Sequence, residues 1–512
     1  MKRIYLPINF LPHKIIALKE ITQKSLNKLS AIFIKIKENK LFSNSVWGGV
    51  SNVLQNLLLS FFFVILARKY STDEFGSYVI ANTLYSFVLG FSSLGLGHWF
   101  IREVINHKEQ RSEIINKFFK IQLFIGIVFY AVNIIISYTL YESSVIRQLS
   151  LIIGINIIFD NVINAIKSLN IADLQQKKTF ILLVTEAFIK FLIACLLIVY
   201  KIDITLLSFI LILVRLFTLN LFIKIGSNND ISLGHLIKVK VDWGEIKKII
   251  FNNWAFIIMS SLSVVNWRIG SIIVSKSLTL KDVANYEVCF KLLSIAYLLP
   301  IIVSSSIYPM LIAALKKSRV EMQNIYNKAF YPMFAYGLLA FTFVFSFIDI
   351  FIPLLFGEAF IDTSHYCVQM FWVMIVFPTI FLQANVILTM KLEKLDMVCN
   401  VASVLINIGL CIAGLAFYKS LMVINMAIFF SFLVFHIIQD VILIRRKVAT
   451  FKHVLSYYLI SALVVSGFYF GSTLIDKKWV FIIFWTAATF ILLLNKQKLI
   501  LFYKKPTTQD VN

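Results

Sequence analysis

The chain has 512 residues, of which 59% are hydrophobic and only 15% charged, and its mean hydropathy is +0.84. A water-soluble domain of that length needs far more polar surface, so the bilayer is the solvent for most of this chain. The formal charge of +23 does not point to nucleic acid, because no soluble domain is left to carry a basic patch.

Residues 1–45 open with Met-Lys-Arg but lack the compact apolar core and small-residue cleavage site of a signal peptide, and are expected to stay in the mature protein. Between Lys14 and Lys40 lysines alternate with Ile15, Ile16, Ile21, Leu29, Ile32 and Ile36, a basic amphipathic pattern suited to the inner membrane surface. A disordered basic tail is the alternative. Apolar stretches then recur from Val46 to Leu494, each about twenty residues long, the length a helix needs to cross the hydrocarbon. A membrane β-barrel requires segments of about ten residues with alternating character, and none is found.

The expected spans are about 46–66, 77–97, 118–140, 149–169, 180–200 and 205–223, together a first lobe over 46–223. A basic link over 224–250 is the longest polar connection. A second lobe over 251–444 holds spans at about 251–275, 285–309, 330–352, 365–388, 397–417 and 421–444. Two further spans, about 454–474 and 480–495, follow Arg445-Arg446-Lys447 within the C-terminal segment 445–512. The fold class expected is therefore all-α integral membrane, with about fourteen transmembrane helices.

Lys and Arg fall mainly in alternate loops. One set holds Arg102, Lys108 and Arg111; Lys177 and Lys178; Lys238, Lys240, Lys247 and Lys248; Lys316, Lys317 and Arg319; Arg445 to Lys447; and Lys504 and Lys505. The other holds little beyond Arg68, Lys69, Lys276, Lys281, Lys477 and Lys478. By the positive-inside rule the rich set is cytoplasmic, and so are both termini.

Two sets of six spans suggest duplication. At a shift of 208 residues Arg68 overlays Lys276, Ser71 overlays Thr279, Glu74 overlays Asp282, Gly76 overlays Ala284, Tyr78 overlays Tyr286, Leu84 overlays Leu292 and Ser86 overlays Ser294. An even number of spans per set makes the repeats parallel, related by a pseudo-two-fold axis along the membrane normal, with a ligand site expected between them near the midplane.

Ionisable groups inside a bilayer cost about 2.5–3.5 kcal/mol each on insertion scales, so they should face a cavity or one another. Asp160 and Lys167 lie seven apart on one helix face, while Glu186 with Lys190, and Glu287 with Lys291, have the acid-then-base spacing that favours pairing. Arg215 and Arg268 have no acid three or four residues away and need an anion from another helix or from a ligand. Phosphate suits the guanidinium fork. Gly48, Asn52, Gln55, Asn56 and Ser60 form a polar stripe on the first span; Asn82 and Ser86, then Asn252, Asn253, Ser260, Ser263 and Asn266, then Asn285 and Ser294 extend it to spans two, seven and eight. They line a hydrophilic cleft or serve as helix-to-helix glue. The groups expected at a bound ligand are Arg268, Lys291, Arg215, Lys190, Asn52, Gln55, Asn56 and Asn266; Asp160, Glu186 and Glu287 are the candidates for ion coupling.

Motifs of chemistry are missing: no GxxxxGK[ST], no HExxH, no GxSxG, and no Cys/His cluster. The five cysteines sit singly in apolar runs and read as small core residues, and His436 reads as a packed helix residue. No cofactor or metal is expected, and movement of a ligand is favoured over a reaction.

The run from Ala67 to Tyr78 (ARKYSTDEFGSY), then Leu94-Gly95-Leu96-Gly97 and Ile101-Arg102-Glu103, resembles the opening hairpin of bacterial polysaccharide repeat-unit flippases, the Wzx-type members of the multidrug/oligosaccharidyl-lipid/polysaccharide exporter superfamily. Asn285-Tyr286 through Pro309, the run Leu354 to Phe360 (LLFGEAF) and Asn407 are similar to later parts of the same family, and the resemblance covers about residues 41–445. It implies two six-helix lobes that carry an undecaprenyl-pyrophosphate-linked oligosaccharide from the cytoplasmic to the outer leaflet of the bacterial inner membrane. It also implies a cationic cavity, onto whose helices Arg268 and Lys291 fall, and two additional C-terminal spans. The partners implied are the polyprenyl-pyrophosphate-linked glycan, membrane lipids, and the polysaccharide polymerase and chain-length proteins; nucleic acid is not among them. Where many relatives read Arg-Ile-Asp, this chain reads Arg268-Ile269-Gly270. That departure leaves Arg268 less neutralised. A peptidoglycan lipid precursor flippase and an ion-coupled multidrug exporter are the alternatives within transport, with a membrane polysaccharide polymerase or ligase the alternative among enzymes.

Overall fold

A computed structural model describes residues 40–107, 109–200, 202–227 and 243–495. The basic segment expected before residue 40, the centre of the 224–250 link and the Lys504-Lys505 tail lie outside the described residues.

No strand occurs among the described residues. The helices are α1 (Lys40–Lys69), α2 (Thr72–Ser92), α3 (Leu96–Asn106), α4 (Arg111–Leu140), α5 (Ser144–Gly154), α6 (Asn156–Ala172), α7 (Gln176–Val199) and α8 (Ile204–Leu221). They continue as α9 (Trp243–Asn252), α10 (Trp254–Ser277), α11 (Leu280–Ala296), α12 (Leu298–Lys317), α13 (Arg319–Phe356), α14 (Thr363–Phe371), α15 (Phe377–Thr389), α16 (Glu393–Phe417), α17 (Leu421–Arg445), α18 (Phe451–Leu474) and α19 (Lys477–Leu494).

Among the described residues 11 helical stretches are long and apolar enough to cross a membrane, which makes this a multi-pass membrane protein. The sequence led us to expect about fourteen. The three expected spans outside that set are α1, α2 and α10, helices of 30, 21 and 24 residues on which the polar stripe was concentrated. The expected boundaries were short in the second half: α11 and α12 form one stretch of 38 residues and α13 is another of 38. At 1.5 Å per residue each is about 57 Å long, so the apolar window marked only the part in hydrocarbon.

The two halves pair their helices in the same way. In the first, α1 packs on α7, α2 on α5, α4 on α6, and α7 on α8. In the second, α10 packs on α16, α11 on α14, α13 on α15, and α16 on α17. The local chemistry repeats too. Ser71 caps α2 through a reciprocal box, its hydroxyl accepting from the Glu74 amide (3.3 Å) while its own amide donates to Glu74 Oε2 (3.0 Å). Thr279 and Asp282 build the same box at the start of α11, at 3.2 and 3.1 Å. Both satisfy amides that a helix start leaves unpaired.

The halves meet along α2, which packs on both α10 and α11. Gly76 permits that approach, since a Cβ there would lie 2.6 Å from the Leu280 carbonyl oxygen. Seven residues further along each helix Thr83 meets Glu287, so α2 and α11 run parallel and in register. α18 and α19 pack on α13 of the second half, with Trp485 Nε1 donating to Thr342 Oγ1 at 3.0 Å.

Candidate functional site

The intramembrane charges singled out from the sequence fall into two groups, one in each half. In the first, Arg215 of α8 is enclosed by carboxylates from two other helices. Its Nε donates to Asp160 Oδ1 of α6 at 2.6 Å, Nη2 donates to the same carboxylate, and Nη1 donates to Glu186 of α7. Glu186 also accepts from Lys190 at 2.6 Å, as the four-residue spacing predicted, and Tyr85 of α2 donates its hydroxyl to Asp160. The Arg215 guanidinium is thus paired by carboxylates of other helices, the first of the two partners, another helix or a ligand, that its spacing left open. Its acids come from neighbouring helices, where a search along its own helix does not reach. Lys167 donates to Asn164 Oδ1 at 3.3 Å, so its predicted partnership with Asp160 is taken over by Arg215.

The second group is more open. Arg268 of α10 and Lys291 of α11 both lack a carboxylate within ion-pair reach among the described residues. The Arg268 guanidinium carbon stands 5.6 Å from the Phe290 ring centroid, and Lys291 Nζ stands 5.8 Å from the Phe63 ring of α1, a helix of the other half. Both contacts place a cation over the negative face of an aromatic ring without discharging it. Glu287, expected to pair with Lys291, instead accepts from Thr83 Oγ1 across the halves at 3.3 Å. The i,i+4 spacing permits a pair, but the helix that packs against α11 supplies a competing donor. Two cations therefore stand against one carboxylate at the contact of the halves.

Other members of the predicted polar stripe divide. Gln55 and Asn56 are half-buried on α1. The side chains of Asn52, Asn266, Gly48, Ser260 and Ser263 lie outside the described residues. Asn285 accepts from Thr363 Oγ1 at 2.8 Å, holding α11 to the start of α14 as helix-to-helix glue, while the Ser86 and Ser294 hydroxyls donate to carbonyls of their own helices.

One polar cluster escaped the sequence reading. Asp440 of α17, fully enclosed, accepts from Gln383 Nε2 of α15 at 2.7 Å and from the Tyr458 hydroxyl of α18 at 2.8 Å, and lies 2.9 Å from His436 Nδ1. His436 Nε2 lies 2.9 Å from Thr379 Oγ1, and its Nδ1 also lies 2.6 Å from the Tyr458 hydroxyl. Asp440 follows His436 by four residues on α17, and that spacing is the only local signal of the pair.

Comparison with known proteins fits this architecture. A family model described as polysaccharide biosynthesis protein matches residues 65–365. No curated protein matches the sequence. Among solved structures the chain is similar to an inward-facing multidrug resistance MATE family transporter of the MOP superfamily, at 10% identity and TM-score 0.61, covering 78% of this chain and 95% of that one. It is also similar to an outward-facing transporter of that family (11% identity, TM-score 0.54, 81% and 96% covered) and to a MOP superfamily transporter from Pyrococcus furiosus (11%, 0.53, 83% and 96%). At such identities the likeness is one of fold.

Proposed function

This chain belongs to that polysaccharide biosynthesis family, and on that premise we propose that it is a flippase for lipid-linked oligosaccharide repeat units. Family and fold are of transporter type, supporting a membrane flippase or exporter rather than an enzyme. The substrate we assign is an undecaprenyl-pyrophosphate-linked oligosaccharide, moved from the cytoplasmic to the outer leaflet of the bacterial inner membrane. In this reading residues 46–223 and 251–444 act as two lobes, 224–250 joins them on the cytoplasmic side with both termini, and 445–512 braces the second lobe.

The observation that carries this proposal is Lys291 with Arg268: two cations against the single Glu287, where the two halves meet. A pyrophosphate headgroup crossing a bilayer must keep its charge compensated and its sugars wet while its tail stays in lipid. Cations held over aromatic rings remain available for that anion, whereas Arg215, already paired with two carboxylates, is not. An excess of positive charge is also the wrong sign for a cationic drug. The test is a deletion strain complemented with Arg268→Gln, Lys291→Gln and the double variant, scored for surface glycan and for protein in the membrane. Loss of glycan with normal insertion is expected; normal glycan from all three variants would remove the basis of the proposal.

A further inference from the structure

Arg68 and Lys276 stand at equivalent places in the two halves, each in the last turn of the first helix and just before a capping box. Their side chains act in opposite directions. Arg68 leaves the first half and reaches the C-terminus of α13, where Nη2 donates to Leu354 O at 2.7 Å and Pro353 O at 3.4 Å. Lys276 leaves the second half and reaches the C-terminus of α4, donating to Leu140 O. It also stands 5.1 Å from the ring centroid of Tyr141, whose hydroxyl meets Ser275 beside it.

The last carbonyls of a helix have no partner within it and carry the negative end of its dipole, so a cation is well placed there. A basic residue at this position need not cross to the other half to find such a carbonyl. Lys69, next to Arg68, stays in its own half and donates to Ile198 O at 2.6 Å. The crossing of Arg68 is therefore a feature of its own, and it recurs in Lys276. Edge-to-face rings lie behind the Arg68 contact, Phe63 with Phe356 at 6.4 Å and Phe75 with Phe360 at 6.2 Å. All these contacts gather at the helix ends that the alternation of loop charge puts opposite the basic loops.

We propose that Arg68 and Lys276 are a matched pair of latches that shut the cleft between the halves at this face, and that access to Lys291 alternates as both release together. Their exposure suits the task, because a solvated cation at a helix end holds only weakly. Each latch is expected to favour the closed arrangement by about two- to five-fold, and the two together by about ten-fold. A rigid movement of one half against the other breaks both contacts at once. What the latches gate rests on the site assigned to Lys291; that they close the face does not.

The test uses the full chain in lipid nanodiscs with Cys195→Ser, the other native cysteines being buried. Spin labels at Tyr200→Cys and Ile361→Cys report the latched face, and labels at Leu174→Cys and Lys317→Cys report the opposite face; all four positions are exposed. Arg68→Ala and Lys276→Ala should each lengthen the first distance in part of the population, the double variant more so, with the second distance shortening in step. Arg68→Lys, which keeps a cation, should stay near the parent distribution. An unchanged first distance in the double variant overturns the proposal. So does a lengthening without change at the opposite face, since the helix ends would then only be fraying. No substrate is needed, so failure here leaves the flippase reading standing, and normal glycan export by Lys291 variants leaves the latches standing.

Discussion

Tyr286 occupies the space that a side chain on Gly270 would need: a Cβ at position 270 would lie 2.3 Å from the Tyr286 hydroxyl oxygen and 3.2 Å from Cζ. α10 and α11 are drawn together at this point, beside the site of Arg268. A side chain at position 270 has no room here, and the phenol fills the space.

Gly270→Ala is expected to destabilise the protein by about 1–3 kcal/mol through overpacking, read as a lower thermal midpoint in detergent. Adding Tyr286→Phe, which removes the closest atom, should recover part of that loss. Strict additivity of the two substitutions would mean that the crowding does not matter.

Arg215→Leu leaves Asp160 and Glu186 enclosed, Asp160 with only the neutral Tyr85 hydroxyl and Glu186 with Lys190. A loss of about 3–5 kcal/mol is expected, as when one partner of a buried pair is removed. Glycan export should fall together with the amount of folded protein. Fully stable but inactive Arg215→Leu protein would instead return this residue to the ligand.

Tyr458→Phe removes the bond that ties α18 to Asp440 while keeping the ring. Amide exchange along α18 should quicken, at a cost of about 1 kcal/mol. Asp440→Ala also removes the acceptor of Gln383 Nε2 and the carboxylate beside His436, and should cost more. Unaltered exchange in both variants would show that α18 is held by its apolar face and the Tyr457 bond to Ile375 O, and not by Asp440.

Asp203 caps α8 outside the membrane-spanning part, and the Thr205 amide, with help from Leu206, holds its carboxyl below the usual carboxylate value. A depressed folded-state value means that its contribution is complete above the unfolded value of about 3.9 and is lost as pH falls through the folded one. The thermal midpoint of the parent should therefore drop more between about pH 5 and about pH 3 than that of Asp203→Asn. Parallel acid profiles would remove Asp203 from the account.

Hydropathy alone located the 11 stretches long and apolar enough to cross a membrane, though not their full lengths, and the pairing of Ser71 with Thr279 and of Glu74 with Asp282 already announced the repeat and its turns. Those features are local: burial in lipid depends on composition over about twenty residues, and a capping box on groups three residues apart. Lys190 with Glu186 was legible for the same reason. Which acids neutralise Arg215, why Glu287 turns to Thr83 and leaves Lys291 uncompensated, and how His436 and Asp440 join α18 to the second half were settled only by tertiary structure. A charge in low dielectric takes whichever partner the neighbouring helix presents, and sequence spacing does not say which helix that is.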